Sequence, residues 1–306
     1  MKYKKIIAVI VTYNRLELLK RAIKYVQNQT YALTEIIVIN NGSTDGTSEW
    51  LAQENKITVI NQANVGGAGG FYTGIKTAYT HGADWIWCMD DDVYPTDSCL
   101  DTLLSYVDKI NNIGIICPRR LQNGAIVYGE TKSFNLTNPL RPLNNFLSEN
   151  EVGREELVQI EGMAFEGPLI SRSVVDRIGY PNRDLFIFFD DSDYSYRAVL
   201  AGFYVMYCKN AILNKELFPV KKMKAKEYRN NWKLFYDIRN KAFFSKSYGK
   251  NKIFRVCGGF EYPLHALCGA LVSLIFNLRK YRIKDLKWIV CSFINGKRKI
   301  LGLMRF

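Results

Sequence analysis

The chain has 306 residues, 48% of them hydrophobic and 23% charged, which excludes a disordered polypeptide and allows one large domain or a domain with a substantial appendage. Its net charge of +13 is unevenly spread: residues 201–306 carry 23 Lys and Arg against 5 Asp and Glu, whereas the first 200 residues are net acidic. A basic rear behind an acidic front predicts that the rear meets something anionic.

No stretch approaches the roughly 20 apolar residues of a membrane span. The apolar run Ile6–Val11 behind the first lysines is too short for a secretion signal and reads as a first strand. Seven cysteines without CxxC spacing predict buried free thiols and a reducing compartment.

In chain order, "KKIIAVIVTY" is a β-branched strand. "RLELLKRAIKYVQNQ" is an amphipathic helix with Leu16, Leu19, Ala22, Ile23 and Val26 on one face. "TEIIVIN" is a second strand, and "GTSEWLAQEN" a helix that Ser43 or Asp45 can cap. "ITVINQ" is a third strand, "GGFYTGIKTAYTHG" a helix closed by Gly82, and "DWIWCM" a fourth strand. Alternation of this kind predicts an α/β fold, a mostly parallel sheet with helices on both faces and ligands at the carboxyl ends of its strands. "TYNR", "NNGSTDG", "NVGGAGG" and "DDD" all fall there.

A helix near Thr96–Asn111 and a strand "GIICPRRL" follow, then an irregular stretch over 123–160. "PLISRSVVDRIGYP" and "FDDSDYSYRAVLAG" read as helices, and "YVMYCKNAIL" as a strand. Beyond about residue 220 the pattern is helical and basic. The expected organisation is therefore an α/β domain over 1–220, in two halves that meet at about 118, and a basic helical region over 221–306.

The stretch "ADWIWCMDDDVYPTD" drives an apolar run into Asp90, Asp91 and Asp92. Two unit charges about 4 Å apart repel by roughly 4 kcal/mol at an effective dielectric near 20, so the triplet needs open water or a cation. A solvated loop before a helix capped by Thr96 or Asp97 is the plainer alternative. "NVGGAGG" lets backbone approach a ligand and offers helix-end N–H groups to an anion, yet it matches neither a P-loop nor GxGxxG. Close packing of its helix on the sheet explains the same glycines. An Asn40–Gly42 turn capped by Ser43 or Asp45 likewise explains "NNGSTDGT" locally.

Together "VIVTYNR", "IIVINNGSTDGT" and "WIWCMDDDVYP" resemble the family 2 glycosyltransferases of the GT-A, Rossmann-like fold. "NVGGAGGFYTGI", "FIFFDDSDYSYRA" and "WKLFYDIRNKAFF" narrow the resemblance to a bacterial galactofuranosyltransferase-like branch. The resemblance implies an inverting, metal-dependent transferase using Mn²⁺ or Mg²⁺. It assigns Asp90 to the ribose side and to the metal, Asp92 to the metal, and Asp91 to the donor site between them. Thr12, Arg15, Asn40, Asn64, Gly66 and Gly67 become nucleotide-sugar contacts. Asn40 stands where the family usually has an aspartate against the uracil imide, and an amide can pair with that edge in either a UDP- or a dTDP-sugar.

The catalytic base implied is Asp191, with Asp190 able to exchange roles with it. Their place at a helix N-terminus favours the ionised form. Phe165, Glu166 and Asp193 are implied at the acceptor. Many relatives carry a further histidine ligand where this chain has Asn214, a weaker oxygen donor. The remaining histidines, His81 and His265, are read as structural.

The leading expectation is transfer of galactofuranose from UDP-galactofuranose to a polyprenyl-diphosphate-linked glycan acceptor, a precursor of cell-surface polysaccharide. A dTDP-rhamnose-dependent rhamnosyltransferase is the alternative within enzymes. "KKMKAKEYRNNWK" and the apolar run Leu264–Leu278 suit an anionic membrane surface, giving a cytoplasmic protein peripheral on the inner face of the plasma membrane. Packing of those helices on the catalytic domain is an equal and compatible alternative. A non-catalytic basic membrane-binding protein is the rival of another class. Nucleic acid is not an expected partner, since no motif for it is present.

Overall fold

The computed structural model describes residues 4–127, 129–218, 231–276, 278 and 280–305. Most of the basic segment Lys221–Lys233 lies outside the described residues. Two compact units emerge, the first made of Met1–Ser133, Phe146–Arg183 and Asp191–Leu217, the second of Phe134–Asn145, Asp184–Asp190 and Phe218–Phe306. The expected single cut near 220 is thus replaced by a second unit that also gathers two earlier segments.

The elements run β1 (Ile6–Thr12), α1 (Leu16–Gln27), β2 (Glu35–Asn40), α2 (Thr47–Leu51), β3 (Thr58–Asn61), α3 (Gly66–Thr80), β4 (Trp85–Asp90), β5 (Val93–Pro95) and α4 (Cys99–Val107). They continue as β6 (Ile113–Gln122), β7 (Ala125–Ile126), β8 (Thr131–Phe134), β9 (Asn144–Phe146), α5 (Glu149–Arg154), β10 (Leu157–Gln159), β11 (Leu169–Ser171), α6 (Arg172–Ile178), α7 (Asp190–Leu200) and β12 (Tyr204–Lys215). The last described helices are α8 (Trp232–Tyr248), α9 (Lys252–Cys257), α10 (Glu261–Ile275) and α11 (Ile283–Lys297).

In the first unit one sheet runs β10-β12-β6-β11-β4-β1-β2-β3, with β5 added to β12 and β7 to β6. Strands β3, β2, β1 and β4 are mutually parallel, β11 is antiparallel to both neighbours, and β12 is parallel to β6. Strand β6 passes residue 118 unbroken, so the two expected halves are two ends of one sheet. The hydrophobic run of β1 follows from its position: Ile7, Val9 and Val11 enter one core with Ile39 and Phe71, while Ile6, Ala8 and Ile10 enter another with Leu19 and Trp87. Both faces of the sheet are buried, as a parallel sheet requires.

Helix α3 lies unusually close to β1. A Cβ on Gly70 would stand 2.5 Å from Val11 Cγ1, and one on Gly74 would stand 2.2 Å from Val9 Cγ1. Those glycines therefore serve packing.

Several boundaries differ from the sequence reading. "PLISRSVVDRIGYP" divides into β11 and α6, because Ser171 ends the strand and its hydroxyl accepts the Val174 N–H. Helix α2 is short, with Gly46 at its N-cap, and Asp45 turns back to Thr47. Helix α4 starts behind Ser98, without a side-chain cap. Of the cysteines, Cys88, Cys99, Cys117 and Cys208 are buried and free as expected, but Cys257 and Cys268 are exposed.

In the second unit α8, α10 and α11 enclose a core of Phe235, Ile238, Ala266, Ala270 and Ile289. A Cβ on Gly296 would lie 2.1 Å from the Arg239 carbonyl oxygen, so α11 crosses α8 in close contact. Helix α10 buries Pro263, Ala266, Ala270 and Ser273, and leaves Leu264, Leu271, Val272 and Ile275 exposed. No described helix is long and apolar enough to cross a membrane.

Candidate active site

Parallel pairing brings the carboxyl ends of β1, β2 and β4 together, with Val11 opposite Asp90 and Thr12 opposite Asn40. The acidic triplet leaves β4 in a turn, and Asp91 and Asp92 are only 2% and 6% exposed, which overturns the solvated-loop alternative. Thr12 Oγ1 donates to Asp91 Oδ2 at 2.7 Å. Arg15 Nη1 donates to Asp91 Oδ1 and to Asp92 Oδ2, both at 3.0 Å. Arg15 thus tethers two acids of the triplet.

The triplet remains short of positive charge. Burial, then Asp92, Glu166 and Asp91, push the Asp90 carboxyl well above its ordinary range. Burial lifts Asp91 to about 6 despite Thr12 and Arg15. Asp92 Oδ1 is buried with no hydrogen-bond partner. An orphaned carboxylate oxygen among acids resisting ionisation fits a hard divalent cation bound through oxygen. Asp90 and Asp92 are the residues that would hold it.

Two flanking backbone pairings place further charges beside the turn. Gly167 N–H donates to the Cys88 carbonyl and Cys88 N–H to the Pro168 carbonyl, which brings Glu166 next to the end of β4. Lys215 lies opposite Val93, and the Glu216 N–H donates to the Asp92 carbonyl. Glu166 is ion-paired to both Arg120 and Lys215, and Arg120 also binds Glu130. The acceptor role expected of Glu166 therefore falls on a carboxylate that two cations already hold. Phe165 is in the core, stacked on Phe71 with centroids 4.3 Å apart, so its expected acceptor contact is corrected to a packing role.

Strand alternation also corrects Asn214. Leu213 faces Gly167, and Lys215 shares its side of β12 and reaches Glu166, so the exposed Asn214 points to the opposite side. The side chain that β12 presents to the acids is a lysine, not an amide.

Asp191 lies in the first turn of α7, where its Oδ1 accepts the Ser192 N–H at 2.6 Å. Burial nevertheless raises its carboxyl to about 6, against the hydrogen bonds from Ser192 and with Glu166 adding to the rise. The expectation that the helix N-terminus keeps it readily ionised is reversed, because desolvation outweighs the terminus. Glu166 acts on both Asp90 and Asp191, so the two acidic clusters lie in one field. Asp193 accepts from Arg197 Nε at 3.0 Å, and Arg197 also donates to the Ile178 and Tyr180 carbonyls. Asp193 thereby anchors α7 to the chain before it. Asp190 opens α7 and is buried.

On the other side of β1, Asn40 is drawn into its own turn. Its Nδ2 donates to Ser48 Oγ and Asn61 Oδ1, and its Oδ1 accepts the Ser43 N–H. The amide expected at a nucleobase is thus internally engaged. Sequence reasoning missed the neighbouring Asn41, which bonds the Gly66 carbonyl, the Val65 N–H and Gln62 Nε2. Asn64 Oδ1 accepts the Gly66 N–H at 3.0 Å. Gly66 has φ +77°, and a Cβ on Gly67 would meet nothing within 4 Å. Gly67 is therefore the glycine of the segment that faces open space.

Sequence reasoning also gave no role to "RNK" of α8. Asn240 Nδ2 lies 3.0, 2.9 and 2.8 Å from the carbonyl oxygens of Leu185, Ile187 and Phe188. Arg239 Nη2 donates to Leu185 O at 2.9 Å, and Arg239 Nε to Asn240 Oδ1. Within this clamped segment Phe186, Phe188 and Phe189 have φ of +66°, +65° and +63°. A left-handed conformation costs a residue with a side chain roughly 1–2 kcal/mol.

A family model described as "Glycosyl transferase family 2" matches residues 7–179. The galactofuranosyltransferase GlfT1 of Mycolicibacterium smegmatis is 28% identical over 266 residues, covering 80% of this chain and 84% of the relative. GlfT1 of Mycobacterium tuberculosis is 29% identical over 265 residues, covering 81% and 84%. The low-salt glycan biosynthesis hexosyltransferase Agl10 of Haloferax volcanii is 22% identical over 237 residues, covering 76% and 74%. Among solved structures, GalNAc-T7 with UDP, GalNAc and Mn²⁺ superposes with a TM-score of 0.56 at 13% identity, covering 89% of this chain and 58% of that longer one. That likeness is one of fold, the GT-A type.

Proposed function

Because the chain belongs to glycosyl transferase family 2, we propose that it is an inverting, metal-dependent enzyme that moves galactofuranose from UDP-galactofuranose to a lipid-linked glycan. The observation that carries this reading is the Asp90–Asp92 turn with its buried, orphaned Asp92 Oδ1, in one field with the half-buried Asp191. The galactofuranose donor is favoured by the two GlfT1 relatives, which align over most of their length.

A divalent cation held by Asp90 and Asp92 would stabilise the negative charge that grows on the leaving diphosphate. Arg15 holds Asp91 and Asp92 in place. Gly67 gives the donor room against the backbone of α3. Ser192 N–H fixes one oxygen of Asp191, so the other, Oδ2, takes the proton of the acceptor hydroxyl as that hydroxyl attacks the sugar C1. The C1–O bond to the diphosphate breaks as the new bond forms on the opposite face, and the nucleoside diphosphate leaves. A base whose carboxyl sits at about 6 matches proton abstraction near neutrality better than one at 3.8.

The acceptor's lipid is supported by the second unit. The apolar stripe of α10 lies near exposed Lys280, Arg282, Lys284 and Lys287, a pairing suited to an anionic membrane surface. We place the protein peripherally, at the cytoplasmic face of the plasma membrane.

The test is thermal unfolding with UDP, dTDP and GDP, with and without Mn²⁺. UDP should stabilise only with the metal, and Asp92→Ala should abolish that shift. A preference for dTDP would move the donor to dTDP-rhamnose. No shift with any nucleotide at millimolar concentration would refute the donor site.

A further inference from the structure

Strand β12 ends beside the acids on a fixed backbone. Lys215 pairs with Val93 on one side and with Gln122 on the other. The next residue, Glu216, is tied down: its N–H donates to the Asp92 carbonyl, and its carbonyl accepts from Gln122 Nε2 at 2.8 Å. Its carboxylate accepts from Tyr94 Oη at 3.0 Å and pairs with Arg21. The backbone of Lys215 is therefore held next to the Asp90–Asp92 turn, and movement of its charge belongs to the four-carbon stem. Every residue named here lies in the first unit.

The two cations on Glu166 differ in how firmly they are held. The Arg120 side chain is 5% exposed, its Nε donates to Glu130 Oε1 at 3.0 Å, and a Cβ on Gly129 would stand 2.4 Å from its Nη2. Such a guanidinium has no room to leave. The Lys215 side chain is 23% exposed and meets Glu166 at Oε1, while Arg120 holds Oε2. Withdrawing Lys215 leaves Glu166 paired, so the move strands no buried charge.

Charge supplies the reason to move. Asp90, Asp91 and Asp92 set three negative charges against the guanidinium of Arg15, and a divalent cation balances the remaining two. The negative charge of a bound nucleoside diphosphate is then still unmet. The sheet order puts β12 on the far side of β4 from β1 and β2. A donor with its nucleoside on the β1–β2 side therefore turns its distal phosphate toward β12.

We propose that Lys215 is a movable cation for the donor: when metal and nucleoside diphosphate enter, its ammonium passes from Glu166 to an oxygen of the distal phosphate, and Arg120 keeps Glu166 neutralised. This rests on the acidic turn being a nucleotide-sugar site. A compact charge on a flexible stem suits the task better than a planar, locked guanidinium. Without donor, the ammonium rests near Asp90 and eases the repulsion there, in competition with the metal.

Titration calorimetry on the wild type, Lys215→Gln and Lys215→Arg tests this with three ligands: Mn²⁺ alone, and UDP or UMP at saturating Mn²⁺. Lys215→Gln should bind Mn²⁺ alone several-fold more tightly and UDP about tenfold or more weakly, with UMP within about twofold of the wild type. Lys215→Arg should keep UDP affinity within about threefold. A lysine that acts on the acids and never meets the phosphate gives one sign for both ligands, with UDP tightening alongside the metal. UDP affinity in Lys215→Gln equal to or above that of the wild type, or an equal loss for UMP, overturns the transfer alone. A wild type that fails to bind UDP with Mn²⁺ overturns the donor site itself. If Lys215→Gln does not fold, Lys215→Met, which keeps the length of the side chain without its charge, decides between the same outcomes.

Discussion

Replacing Asp191 by Asn should abolish turnover and raise stability at neutral pH. Raising a carboxyl from 3.8 to about 6 by burial makes ionisation within the fold unfavourable by roughly 3 kcal/mol, at about 1.36 kcal/mol per pH unit. The folded value lies above the unfolded one, so folding is favoured most below pH 3.8 and this share of stability is lost as pH rises through about 6. Asparagine keeps the oxygen that accepts the Ser192 N–H and carries no charge. Asp191→Asn should therefore match the wild type near pH 4 and gain up to about 3 kcal/mol at pH 7.5, several degrees in Tm. Wild-type kcat should climb through pH 6 to a plateau, since only the carboxylate accepts a proton. Scanning calorimetry and a pH–rate profile measure the two effects. A variant that loses stability equally at pH 4 and 7.5, or a wild-type rate flat from pH 5 to 7, would refute the argument.

Gly74→Ala should lower stability by about 1–3 kcal/mol through its 2.2 Å clash with Val9, whereas Gly67→Ala should leave Tm unchanged and raise the donor KM. Chemical denaturation and initial-rate kinetics separate the two glycines. Lys215→Gln removes the cation that β12 presents to the acids and should tighten Mn²⁺ binding several-fold in calorimetry without nucleotide, while Lys215→Arg should not. Leu271→Glu combined with Ile275→Glu should weaken binding to anionic vesicles about tenfold or more, read by co-sedimentation, without altering UDP affinity, because both side chains already face solvent.

The gathering of the polar clusters was legible because each interrupts an apolar strand, and parallel strands bring such interruptions together at one end. Strand β11 was not, since three strand residues merge with a following helix whose cap, Ser171, is also the last strand residue. Lys215 escaped for a register reason: a bulge between Cys208 and Ile212 resets which residues of β12 face the acids. The ionisation of Asp191 was misjudged because a helix N-terminus can be read from sequence, whereas the extent of burial that outweighs it cannot. Asn240 and Asn41 act on backbone carbonyls and amides distant in sequence, and no spacing rule reveals such partners.

The distribution of thiols has a practical consequence. Burial raises the Cys88, Cys99 and Cys117 thiols, leaving them unreactive to alkylation in the native fold. Cys257 ends α9 and Cys268 sits on the exposed side of α10, beside the apolar stripe. With Cys257 replaced by Ser, a maleimide fluorophore added to the native chain will therefore report chiefly from Cys268 on that stripe, and its emission on mixing with vesicles reads docking.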